Sequence, residues 1–220
     1  PKGMALDHEG NIVIVEPHYS RINHFNKEGK LISQWGVHGN NKGQLSFPRA
    51  VAIANDGSAY VSEFQIIERV KKFQLNRKTV SFEIKGAGGA PSQFNRAEGI
   101  SLSPEGNLFV ADSCNHRIQI FEADGTFLRS IGKAGTARGE FSYPYDIRVD
   151  ELGYQYVCEF GNSRLTILDS NSQVIEIIGR PGNLPGEFNN PWSLALDSKG
   201  NLYVADSQNH RVQKFIRKKS

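Results

Sequence analysis

The sequence predicts an all-β fold, a β-propeller of four-stranded antiparallel blades. Three observations support this prediction. A unit of nearly constant length recurs five times along the 220 residues. Each unit contains short stretches in which β-branched and aromatic residues alternate with polar ones, the pattern of half-buried strands. No stretch of useful length has helical periodicity, and a period in the forties with four strands per unit is typical of propeller blades.

The repeat is easiest to follow at the glycine before the second strand of each unit. Successive glycines are 47, 49, 47 and 47 residues apart. An acid lies six residues after each glycine, and an arginine lies five residues after the acid, or six in the second unit. An opening residue, proline in four of the five units, lies nine residues before the glycine. The glycines are Gly10, Gly57, Gly106, Gly153 and Gly200, and the opening residues are Pro1, Pro48, Ala97, Pro144 and Pro191.

Each unit divides into four predicted strands, such as GISLS, NLFVA, RIQIF and FLRSI in the third unit. The fifth unit contains only the first three, so the sequence predicts four complete blades and a fifth that lacks its outer strand. Leu45, Phe94, Phe141 and Phe188 are predicted to fill the space between blades. One small sheet cannot bury both of its faces, whereas blades packed around an axis can, so residues 1–220 are predicted to form one propeller domain. The repeats span approximately residues 1–47, 48–96, 97–143, 144–190 and 191–220.

The composition is that of a soluble globular chain, with 38% hydrophobic residues, 22 glycines and 9 prolines. The net charge of +3 indicates no particular partner. No apolar run approaches the roughly 18 residues of a membrane helix, and the first residues do not have the pattern of a signal peptide. Since the chain starts at Pro1 without a methionine, we expect upstream sequence to have been removed, and the compartment stays open. Cys114 and Cys158 are too few for a disulfide scaffold and lack metal-site spacing.

The acid and the arginine occur in every unit, whereas a catalytic group is needed only once. We therefore predict that they are structural staples, in which each acid at the end of the second strand pairs with the arginine that begins the third strand or with nearby turn amides. The asparagine in the intervening turn suits either a positive φ or an Asx hydrogen bond. The predicted staples are Glu16 with Arg21, Glu63 with Arg69, Asp112 with Arg117, Glu159 with Arg164, and Asp206 with Arg211.

The turn before the third strand carries a family resemblance. It reads NHRI at 115–118, NHRV at 209–212 and NSRL at 162–165, within longer stretches such as VADSCNHRIQIFEADGTFLRSIG. These features resemble the NHL repeat over the whole chain, and the second unit, with EFQIIERVKKF, departs from it most. WD40 repeats are a poorer match because no unit has the Trp-Asp dipeptide. The resemblance implies a β-propeller, commonly of six blades, that acts as a binding or scaffold module.

Five visible units allow two geometries for the ring. The chain is either part of a six-bladed ring with open blade edges, or it closes as five blades, and the position of the last repeat boundary favours the first alternative. Open edges would expose apolar surface and unpaired strands, which promote association. Self-association through these edges is therefore one of the partner interactions that we consider.

The residues that follow the opening residues indicate whether a known type of enzyme site is present. In the NHL-like peptide-amidating lyases, zinc-binding histidines occupy this position, and here no histidine does, so neither metal nor cofactor is predicted. Glu98, Asp146 and Asp150 imitate only part of the carboxylate set of gluconolactonase-like propellers. His116 and His210 lie two blades apart in equivalent turns and are predicted to be solvated. We predict no catalytic residue, and a metal-dependent lyase or lactonase-type hydrolase is the least supported alternative.

One end of the propeller is predicted to bind a ligand, because the residues there differ between units. It collects the post-opening residues, the glycine-rich connections and the turns between second and third strands. Its basic and aromatic side chains suit a protein or peptide partner, with single-stranded RNA as the alternative. The candidate ligand-binding residues are Lys2, Arg49, Glu98, Tyr145, Trp192, Lys42, Lys133, Arg138, Arg180, Phe64 and Phe160.

Overall fold

The structure, a computed structural model, describes residues 1–75 and 78–217, and these residues form nineteen β-strands and two short 3₁₀ turns. The first blade contains β1 (Gly3–Leu6), β2 (Ile12–Glu16), β3 (Arg21–Phe25) and β4 (Leu31–Trp35). The second contains β5 (Pro48–Ile53), β6 (Ser58–Glu63), β7 (Arg69–Gln74) and β8 (Thr79–Lys85). The third contains β9 (Ala97–Leu102), β10 (Leu108–Asp112), β11 (Arg117–Phe121) and β12 (Phe127–Ile131). The fourth contains β13 (Pro144–Val149), β14 (Gln155–Glu159), β15 (Arg164–Leu168) and β16 (Val174–Ile178), and the fifth contains β17 (Pro191–Leu196), β18 (Leu202–Asp206) and β19 (Arg211–Phe215). The 3₁₀ turns are Ser113–Asn115 and Ser207–Asn209.

Each blade is an antiparallel sheet whose strands are arranged in chain order. Within the described residues, four blades have four strands and the fifth has three. The first strands of consecutive blades, β1, β5, β9, β13 and β17, lie next to one another, so the blades follow each other around a common axis. The predicted all-β propeller with five repeats is confirmed, and over the described residues the fifth blade has the three strands that were predicted.

The core lies between blades rather than within them. Between the third and fourth blades, for example, Phe109 and Ile118 pack with Ile147 and Val157. Phe141, from the connection between these two blades, is fully buried in the same cluster. Leu45, Phe94 and Phe188 occupy the corresponding clusters between the other blades, so all four predicted filler residues are confirmed as buried.

The first and fifth blades differ from the others in one exposed face each. Val212 of β19 is 67% exposed, whereas its equivalents in the four other blades are completely buried. Met4 of β1 is 63% exposed, whereas its equivalents are at most 4% exposed. These apolar faces are the ones that other blades cover with a neighbouring sheet.

One end of the propeller holds all the parts that we predicted to meet there. The start of each inner strand pairs with the end of the second strand, as Pro48 does with Glu63 and Pro144 with Glu159. The glycine-rich connections cross at this end and make short parallel bridges, such as Ala134 with Phe141. We call it the loop-rich end.

None of the helical segments in the described part of the chain has the length and apolar character needed to cross a lipid bilayer.

Candidate functional site

The acid and arginine of the third blade form a closed hydrogen-bond network at the loop-rich end. The buried Asp112 carboxylate accepts hydrogen bonds from Arg117 Nε at 2.7 Å, Gln119 Nε2 at 3.0 Å and the Asn95 backbone N–H at 2.7 Å. The Arg117 guanidinium donates further to the carbonyls of Gly89, Ala90 and Gln93 at 2.8 to 3.0 Å. The arginine therefore attaches the glycine-rich connection to the blade.

The same acid–arginine pair is formed in all five blades. Arg164 and Arg211 each donate to three carbonyls of the connection that precedes their blade, as Arg117 does. Arg21 of the first blade bonds only Glu16 among the described residues. The staple thus has the same ion pair everywhere, but it anchors a connection only in the second to fifth blades.

The second blade adds a third charge to its staple. Lys71 is fully buried, and its Nζ lies 3.4 Å from Oε1 of Glu63, whose other oxygen, Oε2, pairs with Arg69. Burial lowers the pKa of Lys71, with Glu63 acting in the opposite direction. The other blades place an uncharged amide or hydroxyl at this position, so the second blade is the most divergent here as it is in sequence.

The turn asparagine has neither predicted feature: its φ is not positive, and among the described residues it makes no Asx hydrogen bond to its own turn, because its amide donates elsewhere. Asn115 Nδ2 donates to Asp112 at 2.9 Å and to the Gly88 carbonyl at 2.8 Å. The positive φ, 55°, falls on His116, the next residue. His116 Nδ1 in turn accepts the backbone N–H of Tyr143 at 3.2 Å, and the two rings are 4.5 Å apart. His116 therefore joins the third blade to the fourth, a role that its sequence position did not indicate.

A bulge in the inner strand sets the direction of the side chain that follows the opening residue. In the fourth blade Pro144 pairs with Glu159 and Asp146 with Cys158, so the inner strand has one residue more than its partner. The fifth blade has the same shift around Trp192, and the second and third blades have it after Pro48 and Ala97. Bulges redirect side chains, and here the extra residue brings the variable positions together near the axis.

Aromatic side chains form one half of the resulting cluster. Tyr145 stacks on Phe160 with ring centroids 4.3 Å apart and an interplanar angle of 20°. Trp192 meets both rings edge-on, with centroids 5.1 Å from Tyr145 and 5.8 Å from Phe160. Three rings from the fourth and fifth blades thereby form a continuous apolar wall.

Basic side chains form the other half of this cluster. Lys2 Nζ lies 3.8 Å above the Trp192 ring, which links the first blade to the fifth. Arg96 lies 4.9 Å from the Tyr145 ring and 5.2 Å from the Phe64 ring, and Arg49 lies 4.2 Å from Phe64. We call this cluster the axial belt, and its members are Lys2, Arg49, Phe64, Arg96, Glu98, Tyr145, Phe160 and Trp192.

Glu98 is the acid of the axial belt. It is almost completely buried and binds Arg49 through contacts of 2.9 to 3.1 Å and Arg96 Nε at 2.7 Å. The pKa of Lys2 is lowered to about 8, chiefly by burial and also by the positive charges of Arg49 and Arg96, while Glu98 acts in the opposite direction. The belt thus carries three basic groups for one carboxylate.

Arg96 is the member that sequence reasoning missed. It precedes the opener Ala97 and has a φ of 66°, a conformation that costs free energy for a non-glycine residue. Its backbone N–H is held by the Glu68 carboxylate at 2.9 Å. A signal was available, because an arginine takes the place of the aromatic or amide residues that precede the other openers.

The remaining predicted ligand residues do not join the belt. Lys133 and Arg180 are each 78% exposed on the glycine-rich connections and pair with Glu140 and Glu187 of the same connections. Arg138 donates to the carbonyl of Val174 on β16, the outer strand of the fourth blade. Lys42 is exposed on the first connection. Phe64 and Tyr145 do belong to the belt, but each is only 8% exposed. They therefore offer little surface to a ligand and mainly support the side chains around them.

The acids considered for a lactonase-like set lie apart. Asp146 pairs with Arg148 and accepts hydrogen bonds from Ser193 Oγ and the Leu194 N–H, whereas Asp150 contacts Tyr156 and Arg217 at the opposite end of the blades. Among the described residues, no group of three or more His, Cys, Asp or Glu side chains is placed to hold a metal ion.

Comparisons with known proteins agree with the propeller architecture. A streptogramin B lyase structure superposes with a TM-score of 0.69 at 14% identity, covering 100% of this chain and 69% of that one. Virginiamycin B lyase from Staphylococcus aureus gives a TM-score of 0.68 at 14% identity over 100% of this chain and 70% of that one. At this identity the likeness establishes the fold alone.

Sequence comparisons identify NHL repeats in the chain. The model of the NHL repeat matches residues 94–121 and 188–215. "Protein brain tumor" of Drosophila melanogaster is 27% identical over 133 residues, 60% of this chain and 12% of that protein. "B-box type zinc finger protein ncl-1" of Caenorhabditis elegans is 28% identical over 82 residues, 36% of this chain and 10% of that protein. The chain thus spans about a tenth of the length of these relatives, and it contains NHL repeats at the two places that the model matches, as the turn motifs predicted.

Proposed function

We propose that this propeller is a non-catalytic binding module that holds a peptide segment of a protein partner against the axial belt. The observation that carries the proposal is the belt itself, in which side chains from all five blades meet although no belt position has the same residue in every repeat. Trp, Tyr and Arg are the side chains that contribute most to protein interfaces.

Single-stranded RNA is the less favoured ligand. Stacking of bases needs open aromatic faces, and Tyr145 and Phe64 are covered by neighbouring side chains. A groove that binds the RNA backbone along the connections needs unpaired cations there, and Lys133 and Arg180 are paired with acids of their own connections.

A display selection with random linear peptides tests the proposal. Peptides selected on the wild type should bind Trp192→Ala and Phe160→Ala at least tenfold more weakly. The matched control, Lys133→Ala at the rim of the same end, should bind them as the wild type does. Peptides that bind all variants equally would place the contact elsewhere, and a chain that selects no peptide but binds RNA with a steep salt dependence would support the alternative.

A further inference from the structure

Every cation of the axial belt lies against an aromatic ring, whereas only Arg49 and Arg96 have an acidic partner among the described residues. Arg49 and Arg96 share the single carboxylate of Glu98, and both lie against Phe64. Lys2 rests on Trp192 and has no ion-pair partner among the described residues. A cation stabilised by a ring face keeps its polar edge available to another group.

Hydrogen-bond donors remain unused at the same place. Arg96 uses only Nε toward Glu98, which leaves both of its terminal nitrogens without a protein acceptor in the part of the chain that the structure describes. Arg49 uses Nε and Nη2, so its Nη1 is also unused there. None of these atoms is among the buried polar atoms without a partner, so solvent or a ligand can reach them.

The surroundings are suited to one anion of limited size. Three basic groups face one carboxylate, so the belt has an excess of two positive charges when Lys2 is protonated. The aromatic wall of Tyr145, Phe160 and Trp192 shields one side from water, which strengthens a charge-assisted hydrogen bond.

We propose that the axial belt binds a carboxylate of the partner peptide between Lys2, Arg49 and Arg96, with the aromatic wall beside it. This inference rests on the proposed function and specifies what the belt recognises: an aspartate or glutamate side chain of the partner. The partner carboxylate reduces the excess of positive charge in the belt from two to one when Lys2 is protonated.

The ionisation of Lys2 supplies a second, independent readout. Its pKa of about 8 is set by burial, by Arg49 and Arg96, and in the opposite sense by Glu98, while the uncharged Trp192 ring covers its ammonium group. A bound carboxylate stabilises the charged form, so binding is coupled to proton uptake above pH 8. Affinity should be nearly constant below pH 7 and should fall about fivefold between pH 8 and pH 9.

The experiment uses a minimal probe, N-acetyl-glutamate amide, followed by NMR of the tryptophan indole N–H groups. The chain has two tryptophans. Trp192 reports on the belt, and Trp35 at the end of β4 serves as an internal reference. We expect a saturable shift of Trp192 in the millimolar range with little shift of Trp35, and no saturable shift with N-acetyl-glutamine amide at matched ionic strength.

Two variants make the outcome specific. Lys2→Gln and Arg96→Gln should each weaken the binding at least fivefold, and Lys2→Gln should also abolish the fall between pH 8 and pH 9. An unchanged Trp35 signal verifies that both variants are folded. Equal shifts with the glutamine probe, tighter binding of inorganic phosphate than of the glutamate probe, or undiminished binding by both variants would overturn the proposal.

The peptide selection keeps this test separate from the proposed function. If selected peptides depend on Trp192 but lose less than twofold in affinity when each acidic residue is replaced by its amide, the belt binds peptides without recognising a carboxylate. If no peptide depends on the belt, the proposed function itself fails, whatever the small probe does.

Discussion

The staple of the third blade and the axial belt both combine arginines with carboxylates, yet their arginines are used differently. Arg117 donates through Nε, Nη1 and Nη2 to one acid and three backbone carbonyls. Arg96 has one acid and two aromatic rings, and its terminal nitrogens have no acceptor among the described residues. The difference shows how one residue type can anchor backbone in one place and remain available to a ligand in another.

Replacing Asp112 by Ala is the most severe way to break the staple. It leaves Arg117, Gln119, Asn115 and the Asn95 N–H without their shared acceptor in a buried position. We expect a loss of about 3–5 kcal/mol in the free energy of unfolding, measured by denaturant titration. A loss below about 1 kcal/mol would show that the carboxylate is not a structural centre.

Replacing Arg117 by Ala compares two versions of the same staple. It removes the ion pair and three hydrogen bonds to the connection, so we expect a loss of about 3 kcal/mol. Arg21→Ala is the matched control, because it removes an ion pair that anchors no connection among the described residues, and it should cost clearly less than Arg117→Ala. Equal losses for the two variants would mean that the backbone contacts contribute little.

Replacing Trp192 by Ala should weaken ligand binding while leaving most of the stability intact. The side chain is only partly buried, so the free energy of unfolding should fall by no more than about 1.5 kcal/mol. The affinity for belt-selected peptides should fall at least tenfold, about 1.4 kcal/mol. If the free energy of unfolding fell as far as in Asp112→Ala, Trp192 would be part of the structural scaffold, and the contrast between belt and staple would not hold.

The smallest effect concerns the pH dependence of stability. Lys2 has a pKa of about 8 in the folded chain, below that of an unfolded lysine, so between pH 8 and about 10 the unfolded state binds more protons. The stability of the wild type relative to Lys2→Gln should therefore rise with pH in this window. Thermal unfolding of both proteins at pH 7, 8, 9 and 10 measures the difference, and a constant difference would mean that Lys2 is not perturbed in the folded state.

The sequence by itself determined the repeat, the number of strands, and the identity of the staples. These features recur in every unit, so each copy confirms the spacing of the others, and strand alternation follows directly from the burial of one side of each strand. The filler residues Leu45, Phe94, Phe141 and Phe188 could be predicted for the same reason.

Only the tertiary structure decided which variable residues meet. A bulge of one residue in the inner strands turns Tyr145 and Trp192 toward the axis, and neither periodicity nor composition encodes that change of direction. The connection cations Lys133 and Arg180 had the same sequence signal as Lys2, but local pairing with acids occupies them at the rim. Arg96 enters the belt through the backbone conformation before its opening residue and through contacts with the second-blade turn and the fourth blade, which are distant along the chain. The scaffold can be predicted from the sequence because its residues recur in every repeat. The belt occurs once and joins five blades, so its contacts depend on distances that exist only after folding.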